Sequence, residues 1–127
     1  MPGYEIIGPE EKKEVNKIFR SGGVLFRHGF EKIRKKYFVT DFEKLFAKNI
    51  NSKHCLAVTS GTSALRVALA ALRLKPGDEV ITQSFTFVAT VEAIIEAKLQ
   101  PVCCNIDKTL NICPVDLKKK LTKKLKP

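Results

Sequence analysis

The stretch Thr59–Leu65 reads TSGTSAL, a glycine set among small hydroxyl residues between an apolar run, His54–Val58 (HCLAV), and an alanine- and leucine-rich segment. If the first run is a strand and the last a helix, Gly61 lies where a helix begins beyond the carboxyl end of a strand. Backbone N–H groups at such a place have no helical partners and attract anions. Gly61 would let the backbone approach a phosphate closely, and Thr62 and Ser63 would add N–H and hydroxyl donors. The same residues also make an ordinary helix cap, and spacing alone leaves both readings open. Two phosphate signatures are missing, the GxxxxGK followed by Ser or Thr and the GxGxxG. A P-loop nucleoside triphosphatase and a nicotinamide dehydrogenase are therefore disfavoured.

A second informative stretch, TQSFTFVAT (82–90), follows the short apolar run EVIT and sets Phe85 and Phe87 where the chain leaves a sheet edge for a helix. Either ring could be core, and either could cover the face of a planar cofactor held by a nearby anion site. Other reactive residue types lack company. His28 and His54 have no acid and nucleophile placed as in a triad and read as structural or solvated. Glu10/Glu11 and Asp78/Glu79 suit a helix start and a turn better than acid–base work, and Asp107 suits a cap or turn at a strand end. Cys55, Cys103, Cys104 and Cys113 form no CxxC pair and no Cys/His zinc spacing, so buried reduced thiols are expected and no metal site. Cys103 and Cys104, adjacent on a strand, should face opposite ways.

These residues need elements to hold them. Pro9 with EEKKEVNKIFR predicts a helix ending near Ser21, with Val15, Ile18 and Phe19 at helical spacing. The glycine-rich SGGVLFRHGF (21–30) predicts irregular chain. Asp41 is the expected cap of a second helix, DFEKLFAKNI, whose Phe42, Leu45 and Phe46 share a face. From residue 54 short apolar runs alternate with amphipathic segments. Strands are expected at 54–58, 79–82 and 101–106, with helices at 63–74, at 88–97 and from Pro114, and a Pro-Gly turn at 75–78. That order predicts an α/β fold with a mainly parallel sheet. Three short strands make a thin sheet, and the chain stops at Pro127 directly after a helix, where the pattern leads one to expect another strand. Part of a larger protein is the expectation.

At these residues the chain closely resembles a known family. FEKLFA (42–47), TSGTSAL (59–65), GDEVI (77–81), QSFTFVAT (83–90) and PVCCNID (101–107) follow the order and spacing of the amino-terminal part of the DegT family of pyridoxal phosphate-dependent sugar aminotransferases. The resemblance runs over 42–122. It implies the amino-terminal part of the large domain of a fold-type I (aspartate aminotransferase-like) enzyme, with residues 1–40 as an amino-terminal helix and irregular segment and 41–127 as the first part of the cofactor-binding domain. It implies that Gly61 and Thr62, with Ser63, hold the phosphate of pyridoxal 5'-phosphate, that Phe87 stacks on the pyridine ring, and that Phe85 is packing. The family passes an amino group from an amino acid, usually glutamate, to a keto sugar or nucleotide sugar, with active sites built across a homodimer interface. The segment GGVLFRHGF could then reach a neighbouring subunit's substrate. The opening MPGYEIIGPEE, with LFR (25–27) and Phe30, resembles the branch that aminates an eight-carbon 3-deoxy-octulosonate sugar of lipopolysaccharide. The family's Schiff-base lysine and the aspartate facing the pyridine nitrogen lie in downstream motifs that no residue here matches, so no catalytic residue is assigned and these residues alone are expected to be inactive. Lys98 stands where the family often has a turn glycine, and Gln83 where it often has proline.

Composition bounds the alternatives. A 44% hydrophobic share over 127 residues can build a core, and no apolar run approaches the roughly 18 residues of a membrane span, which predicts a soluble, cytoplasmic protein. The net charge of +10 is uneven, with lysines at 118, 119, 120, 123, 124 and 126 and a smaller cluster at Lys32, Arg34, Lys35 and Lys36. Neither cluster has the interleaved aromatics of single-strand binders, so a solvated helix face is the plainer reading. The rival functions are a non-catalytic module binding nucleic acid or acidic lipid through that basic tail, and a truncated reading frame.

Overall fold

The computed structural model describes residues 4–34 and 36–121, and the chain divides into two compact units, residues 1–57 and 58–127. In the first unit a single 3-10 turn, Tyr4–Ile6, precedes helix α1, Pro9–Arg20. Proline at the first helical position has no N–H to waste, and the Glu11 carboxylate accepts a 2.7 Å hydrogen bond from the Gly8 N–H. The helix ends as the glycines require. Gly22 takes φ +105°, and Gly23 N–H returns to Ile18 O at 3.0 Å. Residues 21–30 contain no helix or strand, as the glycines predicted, and Lys32, Arg34 and Lys36 also stand outside any helix; Lys35 lies outside the described residues. There the Arg34 guanidinium lies 4.5 Å from the Tyr37 ring centroid, and Lys36 Nζ 4.7 Å from that of Phe38.

Helix α2, Phe38–Asn49, departs from expectation in two ways. It starts three residues early: Tyr37 is the N-cap, with no side-chain capping bond, while Asp41 sits inside the first turn with its N–H on Tyr37 O at 2.9 Å. Asp41 therefore complements the helix dipole and is not the cap. The buried face also differs. Phe42, Leu45 and Phe46 are exposed, and the buried residues are Glu43 and Ala47, one turn apart. Val15 and Phe19 of α1 are exposed too.

The expected strand at 54–58 pairs with no other strand among the described residues. One physical reason is visible: the Ala57 N–H, which a ladder would need, donates to the Glu43 carboxylate at 2.8 Å. The sheet consists of β1, Glu79–Gln83, and β2, Gln100–Cys104, parallel and in register from Glu79↔Gln100 to Gln83↔Cys104. Helix α3, Gly61–Ala71, precedes β1, and helix α4, Val88–Glu96, connects the strands, giving the crossover that parallel pairing needs. Ala89, Ala93, Ile94, Leu99 and Cys104 form the core of this unit, with Thr82 as a buried polar member. The architecture is α/β with a parallel sheet.

After β2 an Asx turn reverses the chain. Asp107 Oδ1 accepts from the Thr109 N–H at 2.8 Å and its hydroxyl at 2.6 Å, and Ile106 and Ile112 form an antiparallel bridge. Helix α5, Pro114–Lys120, follows, and Asp116 Oδ2 accepts from the Asn105 N–H at 2.8 Å. The remaining lysines of the basic tail, at 123, 124 and 126, lie outside the described residues. The cysteines correct the sequence expectation in part. All four are unbridged, but only Cys104 is buried; Cys55 and Cys113 are half-buried and Cys103 is exposed, on the face opposite Cys104. No helix of the described residues is long and apolar enough to cross a membrane.

Candidate functional site

Two helix starts define the site. Ser60 caps α3 from extended backbone (φ −160°, ψ 163°): its Oγ accepts from the Ser63 N–H at 3.1 Å and lies 3.0 Å from Ser63 Oγ. Thr59 Oγ1 is 3.4 Å from the same hydroxyl, and Ala64 N–H closes the first helical bond on Ser60 O at 3.0 Å. An ordinary cap is therefore present, made by Ser60. It satisfies only the Ser63 amide. The amides of Gly61 and Thr62 have no hydrogen-bond partner among the described residues, as the first amides of a helix lack one by geometry.

Gly61 is not demanded by the chain itself. Its φ lies outside the left-handed region, and a Cβ added there would meet no atom within 4 Å. Neither backbone conformation nor packing accounts for glycine, so approach of something outside the described residues is the remaining physical reason. With the Ser63 N–H engaged by the cap, the free anion donors of the loop are the Gly61 and Thr62 amides, and Ser63 would take part through its hydroxyl.

The second helix start belongs to α4. Phe87 is its N-cap (φ −71°, ψ 139°) and stands 75% exposed. Phe85, expected as packing, is exposed as well, which corrects that assignment. Gln83 Nε2 donates to Phe85 O at 2.7 Å, and Thr86 Oγ1 lies 3.2 Å from Thr90 Oγ1, so the turn between β1 and α4 is held by its own polar side chains.

Arg66 of α3 forms a forked pair with Glu96 at the end of α4, one arm Nη2–Oε1 at 2.5 Å, and the cleft of about 390 Å³ between the helices is lined by Leu69, Arg73 and Leu74 on one side and Ala93, Glu96 and Ala97 on the other. The carboxyl-terminal halves thus adjoin. The start of α4 at Val88 follows the end of β1 at Gln83, the edge at which open parallel sheets bind ligands. The cleft itself lies away from Gly61 and Phe87.

Burial, reinforced by the neighbouring Asp116, pushes the Cys104 thiol up, which keeps it protonated. The Asn105 N–H holds the Asp116 carboxyl below its ordinary value, and the Thr109 hydroxyl and amide do the same for Asp107, which fits their structural roles.

Sequence reasoning missed one polar feature. Glu43, 7% exposed, accepts from Ala57 N–H through Oε1 at 2.8 Å and from Arg27 Nη2 through Oε2 at 2.6 Å. The neighbouring phenylalanines drew the apolar face. The available signal was an acid four residues from a small alanine, the pair that turns out to be buried.

The sequence profile of the DegT/DnrJ/EryC1/StrS aminotransferase family matches residues 5–127. The chain belongs to that family. The spore coat polysaccharide biosynthesis protein SpsC of Bacillus subtilis (strain 168) is 42% identical over 122 residues, 95% of this chain and 29% of SpsC. The aminotransferase from Psychrobacter cryohalolentis, known by X-ray structure, superposes with a TM-score of 0.80 at 33% identity, over 94% of this chain and 29% of its own. The E. coli GDP-4-keto-6-deoxy-D-mannose-3-dehydratase, solved with bound hydrated pyridoxal phosphate, gives 0.78 at 30% identity over 93% and 30%. The DegT chain described here therefore spans roughly a third of the length of these relatives. Its α/β fold with a parallel sheet is the fold of pyridoxal phosphate-dependent aminotransferases in this region.

Proposed function

We propose that this DegT-family chain forms the phosphate-holding and ring-covering part of a pyridoxal 5'-phosphate enzyme that transfers an amino group from an amino acid, glutamate in the first instance, to a keto sugar. What supports the reading is two amides without partners among the described residues, beside a glycine that the fold does not need, and an exposed ring at the start of the next helix in the chain. The Gly61 and Thr62 N–H groups donate to the phosphate oxygens at the positive end of α3, and the Ser63 hydroxyl adds a third donor. Phe87 lies over the pyridine ring and excludes water from that face. When bound, the cofactor supplies the electron sink through which the nitrogen leaves the donor and reaches the sugar.

The finer parts of the proposal rest on the family resemblance. A homodimer in the cytoplasm is the working form, the substrate is a free or nucleotide-bound keto sugar, and the opening segment with LFR and Phe30 favours an eight-carbon 3-deoxy-octulosonate sugar of lipopolysaccharide. Because no lysine here stands in the family's Schiff-base motif, these residues alone hold the cofactor non-covalently and do not turn over. Water loss from a GDP-keto sugar is a second reading, favoured by the 30% identity to a dehydratase that holds the same cofactor.

The test uses the enzyme at the full length of its relatives with 15N-glutamate and keto sugars, read by mass spectrometry. An amino sugar bearing the label supports amino transfer; a product lighter by one water and free of label supports dehydration. Failure of pyridoxal phosphate to bind, read by its absorbance, would refute both.

A further inference from the structure

The turn from β1 to α4 carries Phe87, and its backbone is thinly held. The Ser84 N–H donates to Cys104 O at 2.8 Å, which continues the pairing of β1 with β2, and the Thr90 N–H donates to Phe87 O at 3.0 Å in the first turn of α4. Between those two bonds, among the described residues, the backbone of Phe85 and Thr86 makes one hydrogen bond: Phe85 O accepts from Gln83 Nε2 at 2.7 Å. Thr86 adds only a side-chain contact, its Oγ1 lying 3.2 Å from Thr90 Oγ1.

Gln83 can act as an anchor because the sheet fixes it. It is the last residue of β1, half-buried and in register with Cys104, so the side-chain amide reaches forward two residues from a point held by the ladder. The apolar side chains of the turn provide no rival anchor, since Phe85 is 61% and Phe87 75% exposed. A backbone directed neither by a ladder nor by packed side chains takes its course from the few bonds it does make.

We propose that Gln83 is a positioning residue: by holding the Phe85 carbonyl it fixes the turn from which Phe87 projects, and with it the orientation in which that ring meets a planar ligand. The inference rests on the reading of Phe87 as the cover of the pyridine ring. Its action is indirect. The bond removes conformations of residues 85–87 before binding, so less freedom is lost when the ring settles on the ligand. A ligand without a ring draws no benefit from it.

The experiment titrates the enzyme at the full length of its relatives, freed of cofactor, with pyridoxal 5'-phosphate and with inorganic phosphate, which has no ring. Gln83→Met removes the donor at nearly constant length. It is expected to weaken pyridoxal 5'-phosphate by about three- to tenfold, the range of a single hydrogen bond, and to leave inorganic phosphate unchanged. In a Phe87→Ala background, where the ring is gone, the same substitution should cost nothing more. A merely structural Gln83 would lower the thermal midpoint and either spare both ligands or weaken both equally, and each of those results overturns the proposal. So does a Gln83→Met loss that persists in full beside Phe87→Ala. Should Gln83→Met fail to fold, Gln83→Glu, which keeps the length and lacks the donor, carries the same comparison. A wild-type enzyme that binds no pyridoxal phosphate, read by its absorbance, removes the cofactor reading itself, an outcome distinct from wild-type binding that Gln83→Met leaves unchanged.

Discussion

Replacing Lys98 by glycine should stabilise this protein. Helix α4 ends at Glu96, Ala97 is its C-cap, and Lys98 follows with φ +60°, in the left-handed region that L side chains avoid. The hydrogen bonds are those of a Schellman ending: Leu99 N–H to Ile94 O at 3.1 Å and Lys98 N–H to Ile95 O at 2.9 Å, with Leu99 and Ile94 both buried. The motif therefore fixes the φ of residue 98 whatever side chain stands there. A left-handed L residue costs about 1–2 kcal/mol. Glycine removes that cost but adds about 0.5–1 kcal/mol of unfolded-state entropy. The net gain is about 0.5–1 kcal/mol, which at an m-value of about 1.5 kcal/mol/M raises a urea midpoint by roughly 0.5 M. Lys98→Ala is the control, because alanine keeps the strained φ and should give no such gain. If the alanine variant rises as much as the glycine variant, or if glycine lowers the midpoint, the backbone-strain argument fails. The equivalent position after α2 is Asn51 at φ +53°, with Ser52 N–H on Ala47 O at 2.8 Å; asparagine tolerates that region, so Asn51→Gly should gain only a few tenths of a kcal/mol.

Ile94 is 2% exposed in the core of the second unit, and Ile94→Ala should cost about 2–5 kcal/mol by urea denaturation. Ser60→Ala removes the cap oxygen that accepts from Ser63 N–H and should cost about 1 kcal/mol, with the loss of helicity confined to the start of α3 by hydrogen exchange. The carboxyls of Glu11, Glu43, Asp107 and Asp116 are all held below their ordinary values, each chiefly by hydrogen bonds it accepts. Depressed acids contribute stability that is present above their unfolded values of about 4 and is lost as pH falls through the folded values. Urea midpoints should accordingly change little, from these groups, between pH 7 and 5 and drop below about pH 4; a midpoint that rises on acidification would contradict the assignments.

The parts of the fold legible in the sequence are those set by local chemistry. Pro9 with two acids marked the start of α1, the glycines at 22 and 23 its end, and the Pro-Gly turn and Val-Ile-Thr run placed β1 within a residue. What escaped depended on partners distant in sequence. The run 54–58 has the composition of a strand, yet a strand exists only where another edge accepts its hydrogen bonds, and here Glu43 takes one of the donors. The face of α2 was misread for a related reason. Phe42, Leu45 and Phe46 have the spacing of a core stripe, but the burial in this chain goes to Glu43 and Ala47. Periodicity tells which residues could share a face, and burial is decided by what lies against it.

The site divides along the same line. Its proposed anion-binding half is backbone, and backbone chemistry is announced by residue types that free the backbone: a glycine that neither φ nor packing demands, and a serine that caps. What the structure bears out of TSGTS is the cap, made by Ser60 on the Ser63 N–H. Phe87 carried no such signal, since a phenylalanine beside a strand is core as often as platform, and only its 75% exposure at a helix start separates the two. Phe85 two residues away is also exposed, so exposure by itself does not choose between them. The choice of Phe87 is what the family resemblance implies, and its place as the N-cap of α4, directly after the turn that leaves β1, is compatible with that role.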